Sequence, residues 1–393
     1  MNINDILAIA MEKKASDIHL KVGNCPIIRI NGELISLSNQ KKILPEDTIE
    51  ISNIIMNRRQ KEKFQNDMEI DLAYSVSGLG RFRCNIFYQR GAIGIVMRVI
   101  PTKIFTIREL NLPPIIENIC MEKRGLILVT GTTGSGKSTT LAAMIDYINS
   151  TRVEHIITIE DPIEFLHRDK KGIINQREVG VDSSTFATAL RSALRQDPDV
   201  ILVGEMRDYE TIEIALLAAE TGHLVLSTLH TLDATETINR IITVFPPHYQ
   251  KQIRIQISSV IKSVISQRLL PRSDGKGRVP AVEVMIGTPF IRDCIVNKEK
   301  THLIRDAIKQ GVSQYGMQTF DQSIFMLYQK KYISLEDALK WASNPDEFKL
   351  RVLGVQSTGE MTLEEMEKRI METQQDLEKE KVDKKDKFKI EKY

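Results

Sequence analysis

The sequence predicts an α/β protein with two domains, an antiparallel α+β domain followed by a domain built on a parallel sheet. Its 393 residues exceed one ordinary compact domain, and its 42% apolar content supports real hydrophobic cores. Up to about residue 100, short strand patterns alternate with turn signals such as Asn31-Gly32. From about residue 122, short continuous apolar runs are separated by helical stretches, which is typical of parallel strands covered on both faces.

The first domain, residues 1–100, is predicted to combine one or two helices with five strands. The opening segment MNINDILAIAMEKKASD fits an amphipathic helix, since it has neither the basic start nor the cleavage site of a signal peptide. Pro101 and the pair Pro113-Pro114 bracket a linker with a short helix, residues 101–121. The predicted strands are DIHLKV, PIIRING, EIDLAYSV, RFRCNIFYQR and AIGIVMRVI.

The second domain, residues 122–355, is predicted to place the strands GLILVTG, HIITIED, PDVILVGE and HLVLSTLH in one parallel sheet. After residue 245 the pattern becomes helical, including an amphipathic run from Gln250 to Leu270, and SDGKGR at 273–278 reads as a surface turn. Residues 356–393 form a charged tail that we expect to be partly helical or disordered.

Composition excludes several classes of protein. The formal net charge is only +2, so there is no electrostatic reason to expect nucleic-acid binding or a polybasic membrane anchor. The four cysteines contain no CxxC pair, which argues against a zinc ribbon. No run approaches the roughly 20 apolar residues of a transmembrane helix. The sequence therefore predicts a cytoplasmic protein whose membrane role, if any, comes through partners.

The segment GTTGSGKS, residues 131–138, satisfies the phosphate-loop pattern G-x-x-x-x-G-K-[ST] and lies between a predicted strand and a predicted helix. Its glycines let backbone N–H groups face a phosphate chain at a helix N-terminus. Lys137 would reach the β- and γ-phosphates, and the Ser138 hydroxyl would bind Mg²⁺. The predicted phosphate-binding residues are Gly131, Thr132, Thr133, Gly134, Ser135, Gly136, Lys137, Ser138 and Thr139.

Hydrolysis requires further groups at the carboxyl ends of the sheet strands, beside this loop. Three strands supply candidates. HIITI ends in Glu160-Asp161-Pro-Ile-Glu164, and the strand DVILV ends in Gly204-Glu205, where many ATPases carry an aspartate. The strand HLVLSTLH runs from His223 to His230. We expect His230 to respond to the γ-phosphate, and His223 is a weaker nucleotide-binding candidate, since a histidine at the edge of the core is its plainer interpretation.

Four segments resemble the secretion ATPase superfamily of bacterial type II secretion and type IV pili. They correspond to its Walker A, Asp, Walker B and His boxes: GTTGSGKST (131–139), TIEDPIEF (158–165), ALRSALRQDPDVILVGEMRD (189–208) and AAETGHLVLSTLHT (218–231). The similarity extends to ASDIHL, GRFRCNIFYQRG, VISQRLL and GMQTFDQSI and covers about residues 1–350. The chain is most similar to the PilT-like ATPases of pilus retraction.

This resemblance implies a PAS-like N-terminal domain, a RecA-like P-loop NTPase domain with a helical C-terminal part, ATP and Mg²⁺, and a homohexameric ring. It implies that Glu205 is a carboxylate of the magnesium site. It also implies that the Asp-box glutamates orient water, with Glu164 ahead of Glu160 as general base. In the family, arginines complete a pocket between domains, and the candidates here are Arg81, Arg83 and Arg98.

Absences and departures distinguish the subfamilies. Assembly ATPases usually carry a longer N-terminal region and a tetracysteine zinc motif, neither of which is seen in this chain. Retraction ATPases carry an AIRNLI-type motif after Gly-Thr-Pro. Here the motif is FIRDCI, in which Ile291, Arg292 and Ile295 match, whereas Phe290 and the pair Asp293-Cys294 depart. The GMQTFDQSI region is also similar to the accessory, PilU-like retraction ATPases, which remain an alternative.

The resemblance thus implies a motor that hydrolyses ATP in the cytoplasm at the pilus base, peripheral to the inner membrane. It would act on a pilus platform protein and drive pilin disassembly, in some cases beside a paralogous retraction ATPase. Two rival functions remain open at this point. One is a weakly hydrolysing, nucleotide-binding adaptor that regulates another motor. The other is a DNA translocase, against which the near-neutral charge argues.

Overall fold

The computed structural model describes residues 2–30, 32–101 and 103–353. The predicted charged tail lies outside the described residues. The strands are, in chain order, β1 (Asp17–Leu20), β2 (Ile27–Ile30), β3 (Glu33–Ser36), β4 (Glu69–Val76), β5 (Gly80–Gln89), β6 (Ala92–Ile100), β7 (Gly125–Thr130), β8 (His155–Glu160), β9 (Ile173–Glu178), β10 (Val200–Val203), β11 (Leu224–Leu229), β12 (Ile261–Pro271) and β13 (Arg278–Ile286).

Fifteen α-helices and one 3₁₀ helix, Lys298–Leu303, occur within the described residues. In that part of the chain no helix is both long and apolar enough to cross a membrane. The α-helices are α1 (Ile3–Glu12), α2 (Pro45–Ile55), α3 (Arg58–Asp67), α4 (Ile115–Cys120), α5 (Lys137–Thr151), α6 (Phe186–Ala193), α7 (Tyr209–Glu220), α8 (Ala234–Val244), α9 (Gln250–Val260), α10 (Pro289–Val296), α11 (Ile304–Gln310), α12 (Val312–Tyr315), α13 (Phe320–Gln329), α14 (Leu335–Trp341) and α15 (Pro345–Val352).

The chain divides into two compact units. The first combines the residues up to Thr106 with Leu141–Gly204, and the second combines Ile107–Thr140 with the described residues from Glu205 onward. The first unit contains an antiparallel sheet in the order β3-β2-β1-β6-β5-β4. Side chains alternate between buried and exposed along β4 and β5, as expected for a sheet with one covered face. Helices α1 and α2 contribute Leu7 and Ile51 to its core.

The predicted helix and five strands of this region are confirmed, but a sixth strand, β3, was missed. Its sequence Glu-Leu-Ile-Ser shows no clear alternation, and all four residues are exposed at the sheet edge. The first unit also contains the parallel strands β10, β8 and β9, in that order. Their register pairs Ile159 of β8 with Val203 of β10, so these two strands end at the same level.

The second unit contains the strand order β13-β12-β7-β11, in which β7 is parallel to both neighbours. All six residues of β7 and all six of β11 are buried, which confirms the predicted continuous apolar strands. Leu224 pairs with Gly125 and Leu229 with Thr130, so β7 and β11 begin and end together. This register fixes which loops share an edge of the sheet.

The predicted helix from Gln250 to Leu270 is wrong in its second half. Helix α9 ends at Val260, and the chain continues directly as strand β12, hydrogen-bonded to β7 on one side and to β13 on the other. The segment Ile261–Ile265 is rich in β-branched residues, which pack well on a pleated surface, and tertiary pairing decides the outcome. The turn at 273–278 is confirmed as the connection between β12 and β13.

Candidate functional site

The phosphate loop connects β7 to α5 in the second unit. Strand β7 ends at Thr130 and α5 begins at Lys137, so the loop leads from a buried strand directly into a helix N-terminus. Lys137 is only 8% exposed, and its ammonium Nζ donates to the carbonyl oxygens of Gly131 at 2.8 Å and Thr132 at 3.0 Å. The cation is therefore held inside the loop, where an incoming phosphate chain would compete with these carbonyls for it.

Two glycines in the loop are required by a close approach to β12. Gly131 and Gly136 have φ angles of +142° and +92°, which side-chain-bearing residues rarely adopt. A Cβ at Gly131 would collide with the carbonyl oxygen of Gln267, and one at Gly136 would lie 2.8 Å from the Gln267 amide nitrogen. The Gln267 side chain also accepts a hydrogen bond from Thr140 at 2.7 Å, which fixes α5 to the strand.

Glu205 lies beside an arginine and a histidine of the second unit. Its carboxylate oxygen Oε2 is 2.7 Å from Nε of Arg207 and 3.5 Å from Nε2 of His230, and its side chain is 18% exposed. Arg207, by contrast, is 73% exposed. Asp208 caps helix α7 through the N–H of Thr211 at 2.9 Å, so it is occupied structurally. Asp208 is thus used as a helix cap, whereas Glu205, the other acidic residue after β10, pairs with an exposed arginine.

The two histidines of the predicted His box lie at opposite ends of β11. His230 follows Leu229, which pairs with Thr130, so it leaves the sheet at the same edge as the phosphate loop. His223 precedes Leu224, which pairs with Gly125, and its ring Nδ1 lies 2.9 Å from the Ala218 carbonyl oxygen. Six residues of strand at about 3.3 Å each separate it from the loop edge. The structure does not bring His223 to the phosphate loop. The contact of its ring with the C-terminal end of α7 gives it a structural role instead.

Glu160 and Glu164 of the first unit have different environments. The Glu160 carboxylate accepts hydrogen bonds from Thr158 at 2.6 Å, from Gln176 at 3.1 Å and from the N–H of Glu164 at 3.4 Å. Burial raises the pKa of Glu160 above its usual value, against the lowering effect of those three donors. Glu164 itself is exposed. Glu160 is therefore fixed by protein donors, whereas the carboxylate of Glu164 faces solvent.

A buried ion pair supports the turn that carries Glu164. Arg81 on β5 donates to Glu178 Oε2 at 2.7 Å, and the two side chains are 18% and 5% exposed. The same oxygen accepts the N–H of Ile163, the residue before Glu164, at 3.2 Å. Glu178 ends β9 directly opposite Glu160 in the parallel register. Arg81 and Glu178 together thus anchor the Asp-box backbone.

The other two predicted arginines also lie on the antiparallel sheet of the first unit. Arg83 of β5 and Arg98 of β6 are direct cross-strand neighbours, and both are exposed. Arg98 pairs with Asp17 at 3.0 Å. Burial acts to raise the pKa of Asp17, but the hydrogen bonds from Arg98 and Ser16 bring this pKa below its usual value. Within the described residues Arg83 has neither a hydrogen-bond nor an ion-pair partner. Of the three candidates, Arg83 alone keeps a guanidinium that the described residues do not engage.

The second unit offers oxygen ligands suited to Mg²⁺. The Ser138 hydroxyl, in the first turn of α5, is half-buried, and the Glu205 carboxylate is a hard anionic ligand. Among the described residues no group of three or more His, Cys, Asp or Glu side chains could enclose a metal ion. This donor set fits an ion that keeps several waters and is bound chiefly through substrate phosphates.

Sequence reasoning missed two functional contacts. Glu178 lies in strand β9, which was not predicted, because Ile-Ile-Asn-Gln-Arg-Glu carries too few apolar residues to read as a core strand. The pairing of Arg207 with Glu205 was not predicted either. Glu178 and Glu160 each end their strand and are register partners, but only the structure shows this, since the sequence of β9 lacks an apolar pattern.

Comparison with known proteins agrees with this geometry. The profile of the family described as type II/IV secretion system protein matches residues 1–315. The type IV pilus retractation ATPase PilT of Pseudomonas aeruginosa is 47% identical over 348 residues, which is 88% of this chain and 100% of that protein. The type IV pilus ATPase PilU of the same organism is 41% identical over 358 residues, 91% of this chain and 93% of PilU.

A solved structure supports the same assignment. The crystal structure of the pilus retraction motor PilT with bound ADP has a TM-score of 0.81 and 47% identity, and the match covers 88% of this chain and 98% of that one. At this identity and coverage the likeness extends well beyond the four boxes. The chain belongs to the type II/IV secretion system protein family and, within it, to the PilT-like secretion ATPases.

Proposed function

We propose that this protein is the ATP-hydrolysing motor of type IV pilus retraction. The observation that carries the proposal is the buried Lys137 in a complete phosphate loop, in a chain 47% identical to PilT along the whole of that protein. The N-terminal sheet with its helices would be the PAS-like domain of this family, and residues 122–355 the RecA-like ATPase domain.

In the proposed reaction, Lys137 and the loop amides bind the phosphates. Ser138 and Glu205 would hold Mg²⁺, which would supply positive charge to the phosphate chain. Glu164 orients the attacking water, and its exposed carboxylate is accessible for this role. His230 responds to the γ-phosphate, since it follows the strand that ends level with β7 and contacts Glu205.

The proposed assembly is a homohexamer in which an arginine completes the site. Arg83 is our first candidate, because Arg81 is held by Glu178 and Arg98 by Asp17. Turnover would change the arrangement of the domains and act on an inner-membrane platform protein at the pilus base, which promotes pilin disassembly. No nucleic acid takes part.

The test is Mg²⁺-dependent phosphate release by the purified full chain, together with pilus retraction in cells that lack their own retraction ATPase. Wild type should restore retraction, and Lys137→Ala should not. A chain that binds ATP but releases no phosphate, and in which Glu205→Ala changes nothing, contradicts the catalytic proposal.

A second candidate function is favoured by the 41% identity to PilU over 358 residues and by the departures Phe290, Asp293 and Cys294 from the retraction motif. The protein would then be an accessory retraction ATPase that works beside a paralogous motor. Complementation separates the two functions, since an accessory ATPase restores retraction only when the paralogue is also present.

A further inference from the structure

The segment between β8 and β9, residues 161–172, carries Glu164 and contains neither a helix nor a strand. It therefore lacks the backbone ladder that fixes the neighbouring strands, and other groups must satisfy its polar backbone and hold it in place. Several of its backbone N–H groups donate to side chains instead. The donors and their acceptor side chains are Ile163 to Glu178, Glu164 to Glu160, His167 to Gln176 and Lys170 to Asn149.

One of these side chains, Gln176 of β9, makes three hydrogen bonds to this part of the chain. Its amide oxygen accepts the N–H of His167 at 2.9 Å. Its amide nitrogen donates to the Phe165 carbonyl oxygen at 2.9 Å and to the Glu160 carboxylate at 3.1 Å. An amide has one accepting and one donating end, so a single orientation of the Gln176 side chain satisfies all three partners.

These contacts lie on both sides of Glu164. Gln176 and Glu178 are two residues apart on β9 and therefore project from the same face of the strand. Glu178 holds the residue before Glu164 through its N–H, and Gln176 holds the residue after it through its carbonyl oxygen. The far end of the segment is held separately, since Asn149 of α5 accepts the Lys170 N–H at 3.3 Å. Gln176 is thus the anchor that follows Glu164 most closely.

We infer that Gln176 is a positioning residue for ATP hydrolysis, which holds the Glu164 carboxylate where it orients the attacking water. A group with this task must be placed closely, and a misplacement of about 1 Å can cost about 10²-fold in rate. Gln176 acts through the backbone on the C-terminal side of Glu164, and not on the substrate. This inference rests on the proposed ATPase function and adds to it a residue outside the four boxes.

The full-length protein with Gln176→Met provides the first test. Methionine is also long and unbranched but lacks the amide, so the three hydrogen bonds are lost while the side chain still fills its space. The single-turnover rate of ATP hydrolysis should fall about 10- to 100-fold, whereas the Kd for MgADP, measured by calorimetry, should not change. Asn175→Met, which removes an exposed amide from the opposite face of the same strand, is the matched control and should change neither quantity.

Amide hydrogen exchange reports on the segment directly. Because the His167 N–H loses its acceptor in Gln176→Met, peptides that cover residues 161–168 should exchange faster than in the wild type. Peptides that cover residues 169–171 should change less, since Asn149 still holds that end. Unchanged exchange at residues 161–168 would overturn the inference.

A double-variant cycle separates positioning from a general loss of structure. If Gln176 acts through Glu164, Gln176→Met should slow the wild type but hardly slow Glu164→Gln, since the group to be positioned is already gone. Losses that multiply in the double variant would place the effect elsewhere and contradict the inference. If Gln176→Met does not fold, Gln176→Glu, which keeps the acceptor for His167 but loses the donors, takes its place in the same cycle.

Failure of the inference and failure of the function are distinguishable. If the wild type hydrolyses ATP and Gln176→Met keeps the wild-type rate, Gln176 is not a positioning residue and the function stands. If Glu164→Gln itself leaves the rate unchanged, Glu164 is not the group that Gln176 positions, and the inference fails in the same way. If the wild type neither binds MgADP nor releases phosphate, the proposed function itself fails.

Discussion

The charged groups of the two units are held in different ways. In the first unit, buried carboxylates meet side chains: Glu178 meets Arg81, and Glu160 meets Thr158 and Gln176. In the second unit, Lys137 and Glu283 meet backbone groups, since Lys137 donates to the carbonyls of its own loop and Glu283 accepts the N–H of Ala234.

The difference matters because the two kinds of partner respond differently to a ligand. Backbone carbonyls in a loop are weak neutral partners, and a phosphate that takes Lys137 from them gains a charge-assisted interaction. A buried carboxylate paired with arginine has no such alternative, since separation leaves both charges without solvent. The paired side chains of the first unit are thus suited to hold a fixed arrangement. Lys137 in the loop of the second unit is suited to exchange its carbonyl partners for a phosphate.

The largest expected effect concerns Lys137, which would exchange its carbonyl partners for a phosphate. Lys137→Ala should lower kcat/KM for ATP by about 10³-fold, because it removes a preorganised charge from the phosphate site. Steady-state phosphate release measures the effect, and Lys276→Ala, in the exposed turn after β12, is the control. A variant that retains nucleotide affinity would show that the loop amides suffice without the cation.

The next effect tests the buried ion pair of Arg81 and Glu178. Arg81→Met should lower the free energy of unfolding by about 3 kcal/mol, since it leaves the Glu178 carboxylate buried and unpaired. Denaturant unfolding measures this loss. Arg98→Met removes an arginine that is 70% exposed and should cost about 0–1 kcal/mol. The double variant Arg81→Met with Glu178→Gln should recover much of the stability, and no recovery would mean that Arg81 acts through packing alone.

A somewhat smaller effect separates Glu164 from its neighbour Glu160. Glu164→Gln should lower kcat about 10²-fold and leave the Kd for MgADP unchanged, since it removes a group that positions or deprotonates water. Single-turnover hydrolysis and calorimetry measure the two quantities, with Asp71→Asn on β4 as an exposed control. Equal losses of binding and turnover would assign Glu164 a structural role.

The smallest effect concerns Glu283, a buried carboxylate of the second unit that contrasts with Glu178. Burial raises the pKa of Glu283 from 4.5 to about 7; the Ala234 N–H opposes this shift, nearby Asp233 adds to it, and Arg268 and Arg305 counteract it. The folded state holds the proton of Glu283 more tightly than the unfolded state does. The stability that protonated Glu283 contributes is therefore fully present below pH 4.5 and is lost as the pH rises through about 7.

Glu283→Gln should therefore stabilise the protein at pH 8, by about 2 kcal/mol, and leave its stability at pH 4.5 nearly unchanged. The Gln oxygen can still accept the Ala234 N–H. Thermal unfolding at the two pH values measures the difference. A uniform shift at both would mean that protonation of Glu283 does not contribute.

Local patterns made much of the fold predictable. Strands β7 and β11 were predictable because each is a continuous apolar run. The phosphate loop was predictable because a single short segment encodes both its backbone geometry and its chemistry. Strand β12 was misassigned because its burial depends on β7 and β13, which lie far away in sequence. The pairing of Arg81 with Glu178, 97 residues apart, has no local signature. His223 stands at the start of β11, as the sequence indicated, and the structure gives it a contact with the Ala218 carbonyl oxygen instead of a place at the loop.

The closeness of Gly131 and Gly136 to Gln267 has a consequence for how this protein can be recombined with its relatives. The loop and strand β12 form one steric unit, although more than 120 positions separate them (Gln267 and Thr140 are 127 apart). A chimaera that takes its phosphate loop from one parent and its β12–β13 hairpin from another keeps this contact only if the loop has glycines at both positions and the hairpin a side chain that fits beside them. Exchange of both segments together would preserve it, so crossovers are best tolerated outside this pair.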